Sequence, residues 1–550
     1  MSTNISKEKR DNLINKIKAI RTYIAEAPQD ENTGALLVYL SELEKEVKSK
    51  KYGLVFEEHR EEIDEILAEN VPVLTEEPDL FINNGGQMNF LIEGDNLASL
   101  QLLLKTHRGK IDLIYIDPPY NTLKEGFTYS DLLVDKNDTF RHSKWCSFML
   151  RRLELAKNLL SDLGVIFISI DDNEVGALRL LCDQIFGYQN FIANVIWEKK
   201  FSPQNDAKWL SDSHDHILVY AKNKERWHPN LLSRTETMDK RYSNPDNDPR
   251  GVWASSDFTV KTASEAYMYP ITTPSGRVVI PTASRSWVTS QENYEALKKD
   301  NRIWFGAKGN NVPRIKTFLS EVQQGTVCKT IWYRAEVGDT QEGTRDLKSV
   351  FGKAGMFTNP KPIRLIERIL DISLKSKNAT ILDFFAGSGT TAHAVMKLNA
   401  EDGGNRRFIV CTNNENSICR EVTYERIRRV IDRDKYNESL KYYCVDFVSQ
   451  KDEDGNPIFY YDYAPELLKH VRELVELENG VNFNDNAENA IVLTDEEADA
   501  FFENTDLLNL CKRLYVGHDV LLTGEQEEML KSLEVELIVI PDYYYKGLEG

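Results

Sequence analysis

The chain has 550 residues, 41% hydrophobic and 28% charged, a length for two to four domains and a composition that excludes disordered and fibrous classes. No apolar run reaches membrane-spanning length, the N-terminus is polar and charged instead of signal-like, and seven scattered cysteines show neither metal-ligand spacing nor a disulfide framework. A cytoplasmic protein with free thiols is expected. The formal charge of −19 excludes a uniformly basic surface, but residues 191–350 hold 23 Lys and Arg against 19 Asp and Glu, whereas 451–550 hold 7 against 24. The acidity therefore sits in the tail, and a mildly basic middle is left to meet an anionic partner.

Residues 1–75 read as a helical N-terminal extension, with apolar positions at helical spacing over 9–25 and 35–48. Strand–helix alternation begins at Asn89. A strand over 90–92 leads into Gly94-Asp95-Asn96, where Asp95 or Asn96 caps a helix over 97–104. The next strand, Ile111-Asp112-Leu113-Ile114-Tyr115-Ile116, is stopped by Asp117-Pro118-Pro119-Tyr120. Neither proline has an N–H for a sheet ladder, and both fix φ. What remains at the strand's carboxyl end is a carboxylate, a carbonyl without a ladder partner and an aromatic ring. Ligands of open α/β sheets sit at such ends, and two acceptors beside a flat ring suit the exocyclic amino group of a nucleobase. A helix over 140–160, a strand over 165–170, a helix over 174–186 and strands over 191–199 and 216–221 complete a first core half, 76–224. The alternation predicts a mostly parallel sheet with helices on both faces.

Over 225–350 the rhythm breaks into short segments rich in Pro, Ser, Thr, Trp and Tyr. Arg277, Arg285, Arg302, Lys308, Arg314 and Lys316 lie there among Trp253, Tyr267, Tyr269, Trp287, Trp304 and Phe305. This is the composition of an insert that meets phosphates and base edges in a groove, or of an irregular β-rich subdomain whose aromatics are core.

The sheet resumes over 351–450. Pro360-Lys361-Pro362 opens a helix over 363–372, and the apolar run Ala379-Thr380-Ile381-Leu382-Asp383-Phe384-Phe385 meets Ala386-Gly387-Ser388-Gly389-Thr390-Thr391 and another helix. Strand, glycine turn and helix form the setting a nucleotide-type loop needs. Without a lysine after the glycines it is no phosphate-binding loop, and without a third glycine it does not fit a dinucleotide. The strand over 407–412 ends near Glu415, an acid placed for ribose hydroxyls. A nucleoside such as S-adenosylmethionine fits both. The two halves are expected to share one sheet. The tail, 451–550, reads as an acidic α+β domain with strands near 520–522 and 535–540.

The glycine and Asp-Pro-Pro-Tyr segments resemble the cofactor and catalytic motifs of the amino-methylating DNA methyltransferases. Their order here is that of the beta class. With Leu91-Ile92-Glu93-Gly94-Asp95-Asn96, Ile168-Ser169-Ile170-Asp171-Asp172-Asn173-Glu174 and Asn359-Pro360-Lys361-Pro362, the chain is similar to the modification subunits of type III restriction systems over residues 50–450. The resemblance implies a Rossmann-like methyltransferase sheet with a target-recognition domain inserted at 225–350. It implies transfer of a methyl group from S-adenosylmethionine to adenine N6 in a specific duplex sequence, with the base flipped out of the stack. Asp117, Pro118, Pro119 and Tyr120 are then catalytic. Phe385, Gly387 and Gly389 then lie along the methionine side of the cofactor, Glu415 on the ribose and Asp95 near the adenine, with Asp383, Ala386, Ser388 and Thr390 also binding the cofactor and Lys361 beside the site. The insert's cations contact DNA. Partners implied are double-stranded DNA, a second copy and a separate helicase-nuclease restriction subunit, with no membrane and no metal. Aspartate rather than serine at position 117 favours adenine. Cytosine N4 as target, a solitary methyltransferase and a catalytically silent recognition subunit stay open.

Overall fold

A computed structural model describes residues 5–26, 33–48, 56–122, 140–203, 207–262, 264–452, 455–484 and 486–545. Two compact units divide the chain: one takes 1–228, 330–370 and 374–550, the other 229–329 with 371–373.

The first unit is built on ten strands: β1 (Asn70–Glu76), β2 (Met88–Glu93), β3 (Ile111–Ile116), β4 (Leu160–Ile170), β5 (Phe191–Glu198), β6 (His214–Ala221), β7 (Ile331–Trp332), β8 (Thr380–Asp383), β9 (Arg407–Thr412) and β10 (Ser439–Ser449). Their order across the sheet is β1-β10-β2-β9-β8-β3-β4-β6-β5-β7. From β10 to β4 every pairing is parallel, and β6 is antiparallel to both β4 and β5. The fold is therefore α/β with a mostly parallel sheet, as the alternation predicts. Unbroken apolar runs form these central strands because both faces are covered: Ile92, Ile114, Ile166, Leu382 and Ile409 are all fully buried.

One pairing governs the rest. β8 lies beside β3, with Ile381 opposite Leu113 and Leu382 opposite Ile114. Chain segments hundreds of residues apart thus share one sheet, and their carboxyl ends, Asp117 and Asp383, emerge side by side.

Several boundaries differ from the sequence reading. Helices Ile5–Glu26, Thr33–Lys48 and Glu62–Glu69 open the chain, but residues 70–75, which the sequence places in the helical extension, belong to β1, antiparallel to β10. Pro72 is tolerated because β1 is an edge strand. Residues 330–350, assigned to the insert, belong to the first unit, since β7 pairs with β5. The tail carries a parallel three-stranded sheet of Asn489–Val492, Arg513–Val516 and Glu536–Val539. The strand expected near 520–522 lies instead at 513–516, where Leu514, Tyr515 and Val516 are buried while Leu521 is exposed.

In the second unit an antiparallel sheet of Ile303–Trp304, Arg314–Phe318 and Trp253–Asp257 accompanies two short ladders and the helix Gln291–Lys299, capped by Ser290. Phe258, Tyr269, Trp287, Tyr294 and Phe305 form its core. Most aromatics that sequence reading set among the bases are thus packing residues, because a small unit with so few long strands needs large side chains to fill it.

Candidate active site

The adjacent ends of β3 and β8 open onto a cavity of about 480 Å³ within the first unit, a volume in the range of small-molecule sites. Asp117, Pro118, Pro119 and Tyr120 line it, and so do Asp383, Phe385, Ala386, Gly387, Ser388 and Thr390. The two motifs meet in one space.

The Asp-Pro-Pro-Tyr turn is held from behind. Trp145 Nε1 donates to the Pro119 carbonyl at 2.7 Å, whereas among the described residues no group donates to the Pro118 carbonyl. Asn121 takes a left-handed φ of 56° and donates to Glu174 Oε1 at 2.6 Å, an oxygen that also faces His142 Nδ1 at 2.6 Å. The chain leaving the motif is thereby tied to the start of the helix Val175–Cys182. Both oxygens of Asp117 are engaged. The Tyr120 hydroxyl donates to Oδ1 at 2.8 Å, and Lys361 Nζ lies 2.5 Å from Oδ2. The same ammonium sits 5.2 Å from the Tyr120 ring centre and 5.9 Å from that of Trp197, within cation–π range. Burial, reinforced by the Asp117 charge, pushes the Tyr120 phenol well above its ordinary range, so Tyr120 stays a neutral donor.

The glycine turn is a tight bridge between β8 and the helix Thr390–Asp402. Gly387 has φ 49°, and a Cβ there would come within 3.0 Å of the Phe357 ring. Gly389 has φ 73°, so both positions favour glycine. Asp383, at the end of β8, accepts from the Phe385 N–H at 3.0 Å and the Thr391 hydroxyl at 2.6 Å. Burial nevertheless raises its carboxyl to about 7.

Other proposed site residues lie elsewhere. Asp95 caps the helix Asn96–His107, accepting from the Leu97 N–H at 2.7 Å, with Oδ2 3.5 Å from Arg152. Glu415 is exposed on the turn Glu415–Ser417. Neither is among the residues lining the cavity. Conversely, sequence reading passed over Trp197 at the end of β5 and the pair Lys199–Asp215, 2.7 Å apart. Burial lifts Asp215 to about 6 against the pull of Lys199 and Lys361. An acid set against the apolar run Ile217 to Ala221 was the available signal.

Asp172, His214 and His216 also come together, with His216 Nε2 2.9 Å from Asp172 Oδ1. No sequence spacing suggests this group, because β4–β6 pairing assembles it.

In the second unit the six cations singled out for DNA fare unequally. Lys316 is fully buried between Asp246 and Asp248, so it is a core ion pair and not a phosphate contact. The cost of burying an ammonium leaves it no freedom to reach outward. Arg302 is clamped by Asp300 and Glu321 at 2.6 Å each. Arg314 bonds Ser255 and Asp257, and Arg285 bonds Thr259. Arg277 and Lys308 are exposed.

Comparison with known proteins agrees with this geometry. A model of the DNA methylase family matches residues 111–426, which run from β3 through the insert and the glycine turn. The chain is 38% identical over 378 residues to the type III restriction-modification enzyme StyLTI Mod subunit of Salmonella typhimurium, covering 63% of this chain and 56% of that one. It is 34% identical to the EcoPI Mod subunit of Escherichia phage P1, covering 60% and 58%, and 33% identical to the type II methyltransferase M.KpnI of Klebsiella pneumoniae, covering 60% and 82%. Its matches to the two Mod subunits span somewhat more than half their length. Among the described residues no helix is long and apolar enough to cross a membrane. With both motifs on one cavity and the matched segment running through both, the chain belongs to the DNA methylase family.

Proposed function

We propose that the protein is an S-adenosylmethionine-dependent DNA methyltransferase acting on adenine N6 in a specific duplex sequence. The observation that carries this reading is the shared cavity of Asp117-Pro118-Pro119-Tyr120 and the Gly387 turn. Its lining suits the donor. Close backbone approach at Gly387, apolar surface from Phe357 and Phe385, and an excess of acids over lysines match a cationic nucleoside. When bound, S-adenosylmethionine supplies a methyl group already activated by its positive sulfur.

The chain's own residues then have to align a weak nucleophile, because the lone pair of an exocyclic amino nitrogen is delocalised into the ring. The free carbonyl of Pro118 accepts one N–H. Asp117 accepts the other once Tyr120 or Lys361 yields an oxygen. The two bonds favour a tetrahedral nitrogen whose lone pair points across the cavity. Alignment of this kind contributes on the order of 7 kcal/mol without any covalent intermediate. Tyr120 offers an aromatic face to a flipped base, replacing about 1–3 kcal/mol of lost stacking. Aspartate at position 117 favours adenine over cytosine.

We further propose that this is the modification subunit of a type III restriction system, with a second copy and a separate helicase-nuclease subunit as partners. The names of its Mod relatives support that assignment. The insert, 229–329, supplies sequence recognition.

Incubation of the purified chain with methyl-tritiated S-adenosylmethionine and duplex DNA from an unrelated bacterium, followed by digestion to nucleosides, tests the reaction. Label in N6-methyldeoxyadenosine is the expected result. Label in N4-methyldeoxycytidine identifies the cytosine reaction. Donor binding without transfer identifies a silent recognition subunit.

A further inference from the structure

Arg426 is fully buried in the helix Glu425–Asp434, directly behind the glycine turn. Its Nη1 donates to the Ser388 carbonyl at 3.0 Å, the Ser388 hydroxyl at 3.2 Å and the Thr390 hydroxyl at 2.8 Å. Nη2 faces Nδ1 of His393 at 3.4 Å. Burial and the neighbouring Arg426 hold that imidazole well below its ordinary range, so it stays neutral and accepts. Nε has no partner. Among the described residues no carboxylate lies within ion-pair distance of this guanidinium. Asp346 is the acid that acts on it through space, while Arg433 opposes its charge.

A dry, unpaired guanidinium is costly, and structures that keep one usually set it opposite an anion. Its contacts identify where the anion sits. Ser388 and Thr390 line the cavity, and both hydroxyl oxygens accept from Arg426 on their hidden side. Their protons are then available elsewhere: to each other at 3.1 Å, to the Lys361 carbonyl at 3.3 Å, or to a ligand in the cavity. The first turn of the helix Thr390–Asp402 adds N–H groups without helical acceptors.

We propose that Arg426 is a positioning residue for the carboxylate at the amino-acid end of the methyl donor. It fixes the Ser388 and Thr390 hydroxyls as donors and supplies the positive charge behind them. This inference rests on the S-adenosylmethionine reading and deepens it. Arg426 touches no reacting atom. Its effect is to seat one end of the donor so that the sulfonium methyl faces Asp117.

The test is calorimetric binding of two ligands to the full chain: S-adenosylmethionine, and decarboxylated S-adenosylmethionine, which keeps the sulfonium and lacks only the carboxylate. A hydrogen-bonded charge contact predicts that the wild type prefers the carboxylate form by about tenfold or more. In Arg426→Met that preference is lost, because only the carboxylate form weakens, and Arg426→Lys keeps part of it. Equal weakening of both ligands overturns the inference in favour of a purely structural arginine, and an unchanged preference overturns it as well. If the Arg426 variants do not fold, Ser388→Ala and Thr390→Val decide: each must reduce the preference, and an intact preference in both contradicts the proposal. Failure of the wild type to bind either ligand contradicts the S-adenosylmethionine reading itself, whereas equal wild-type affinity for both contradicts only the assignment to Arg426.

Discussion

The ammonium of Lys361 lies 2.5 Å from Oδ2 of Asp117, across 244 residues of chain. Only 10% of the lysine side chain and 29% of the aspartate side chain are exposed, so this pair ties the helix-opening segment before β8 to the motif ending β3. With Tyr120 on the other oxygen, the carboxylate has its geometry fixed before any base arrives. Lys361→Met removes one partner and leaves a half-buried charge, a loss of about 2 kcal/mol. Asp117→Asn combined with Lys361→Met is predicted to cost less than the sum of the single changes, by about 1 kcal/mol or more. Denaturant titration of the four proteins measures this, and strict additivity means that the pair is not coupled.

The proposed function gives Tyr120 two separable jobs. Tyr120→Phe removes the bond to Asp117 Oδ1 and keeps the ring, a change of about 1 kcal/mol or roughly fivefold in turnover. Tyr120→Ala removes the ring too and is predicted to lose a further 1–3 kcal/mol or so of base stacking. Single-turnover methylation rates rank them. An alanine variant as active as the phenylalanine variant would show that the ring does not meet the base.

Asp383 makes stability fall as pH rises. Its folded-state carboxyl sits at about 7 through burial, opposed by the bonds from Thr391 and Phe385, above the unfolded value of about 3.9. Between these values the folded chain holds the extra proton. The destabilisation is therefore absent below the unfolded value, grows through the interval and is complete above about 7. Asp215 acts in the same direction. Between pH 5 and 8, Asp383→Asn should remove about 3 kcal/mol of this slope. Equal slopes for the two proteins in paired urea melts contradict the assignment.

The insert's cations divide into two experiments. Lys316→Met leaves Asp246 and Asp248 without their shared partner and should lower the melting temperature. Arg277→Glu with Lys308→Glu should leave it unchanged, since both side chains are exposed. If both exposed residues contact phosphates, that double variant reduces the slope of log affinity against log salt by about 2. An unaltered slope assigns DNA contact to other residues of the insert.

The sheet and the two motifs that meet in its cavity were legible because they rest on local signals: unbroken apolar runs, two prolines after an acid, and glycines between strand and helix. The Lys199–Asp215 pair and Trp197 were not, because strand order places them beside the Asp117 turn and the acid before the run Ile217 to Ala221 marks only one of the three. Lys316 misled for a related reason. A lysine inside the strand Arg314–Phe318 reads as an exposed cation until the partner strand and the Asp246–Asp248 loop close over it. Arg426 sits among other arginines on a charged helix, and only the fold separates the buried one from its solvated neighbours. Asp95 was read both as a cap and as a cofactor contact, and its bond to Leu97 is the cap.

In the proposed reaction Asp117, facing the glycine-turn cavity, directs a methyl group onto adenine. Expressing the full chain in a bacterium that lacks adenine methylation, then sequencing its DNA with modification-sensitive long reads, tests this most directly. The expected result is N6-methyladenine at one short motif with the wild type and none with Asp117→Ala. Methylcytosine in place of methyladenine, or methyladenine undiminished in Asp117→Ala, would contradict it.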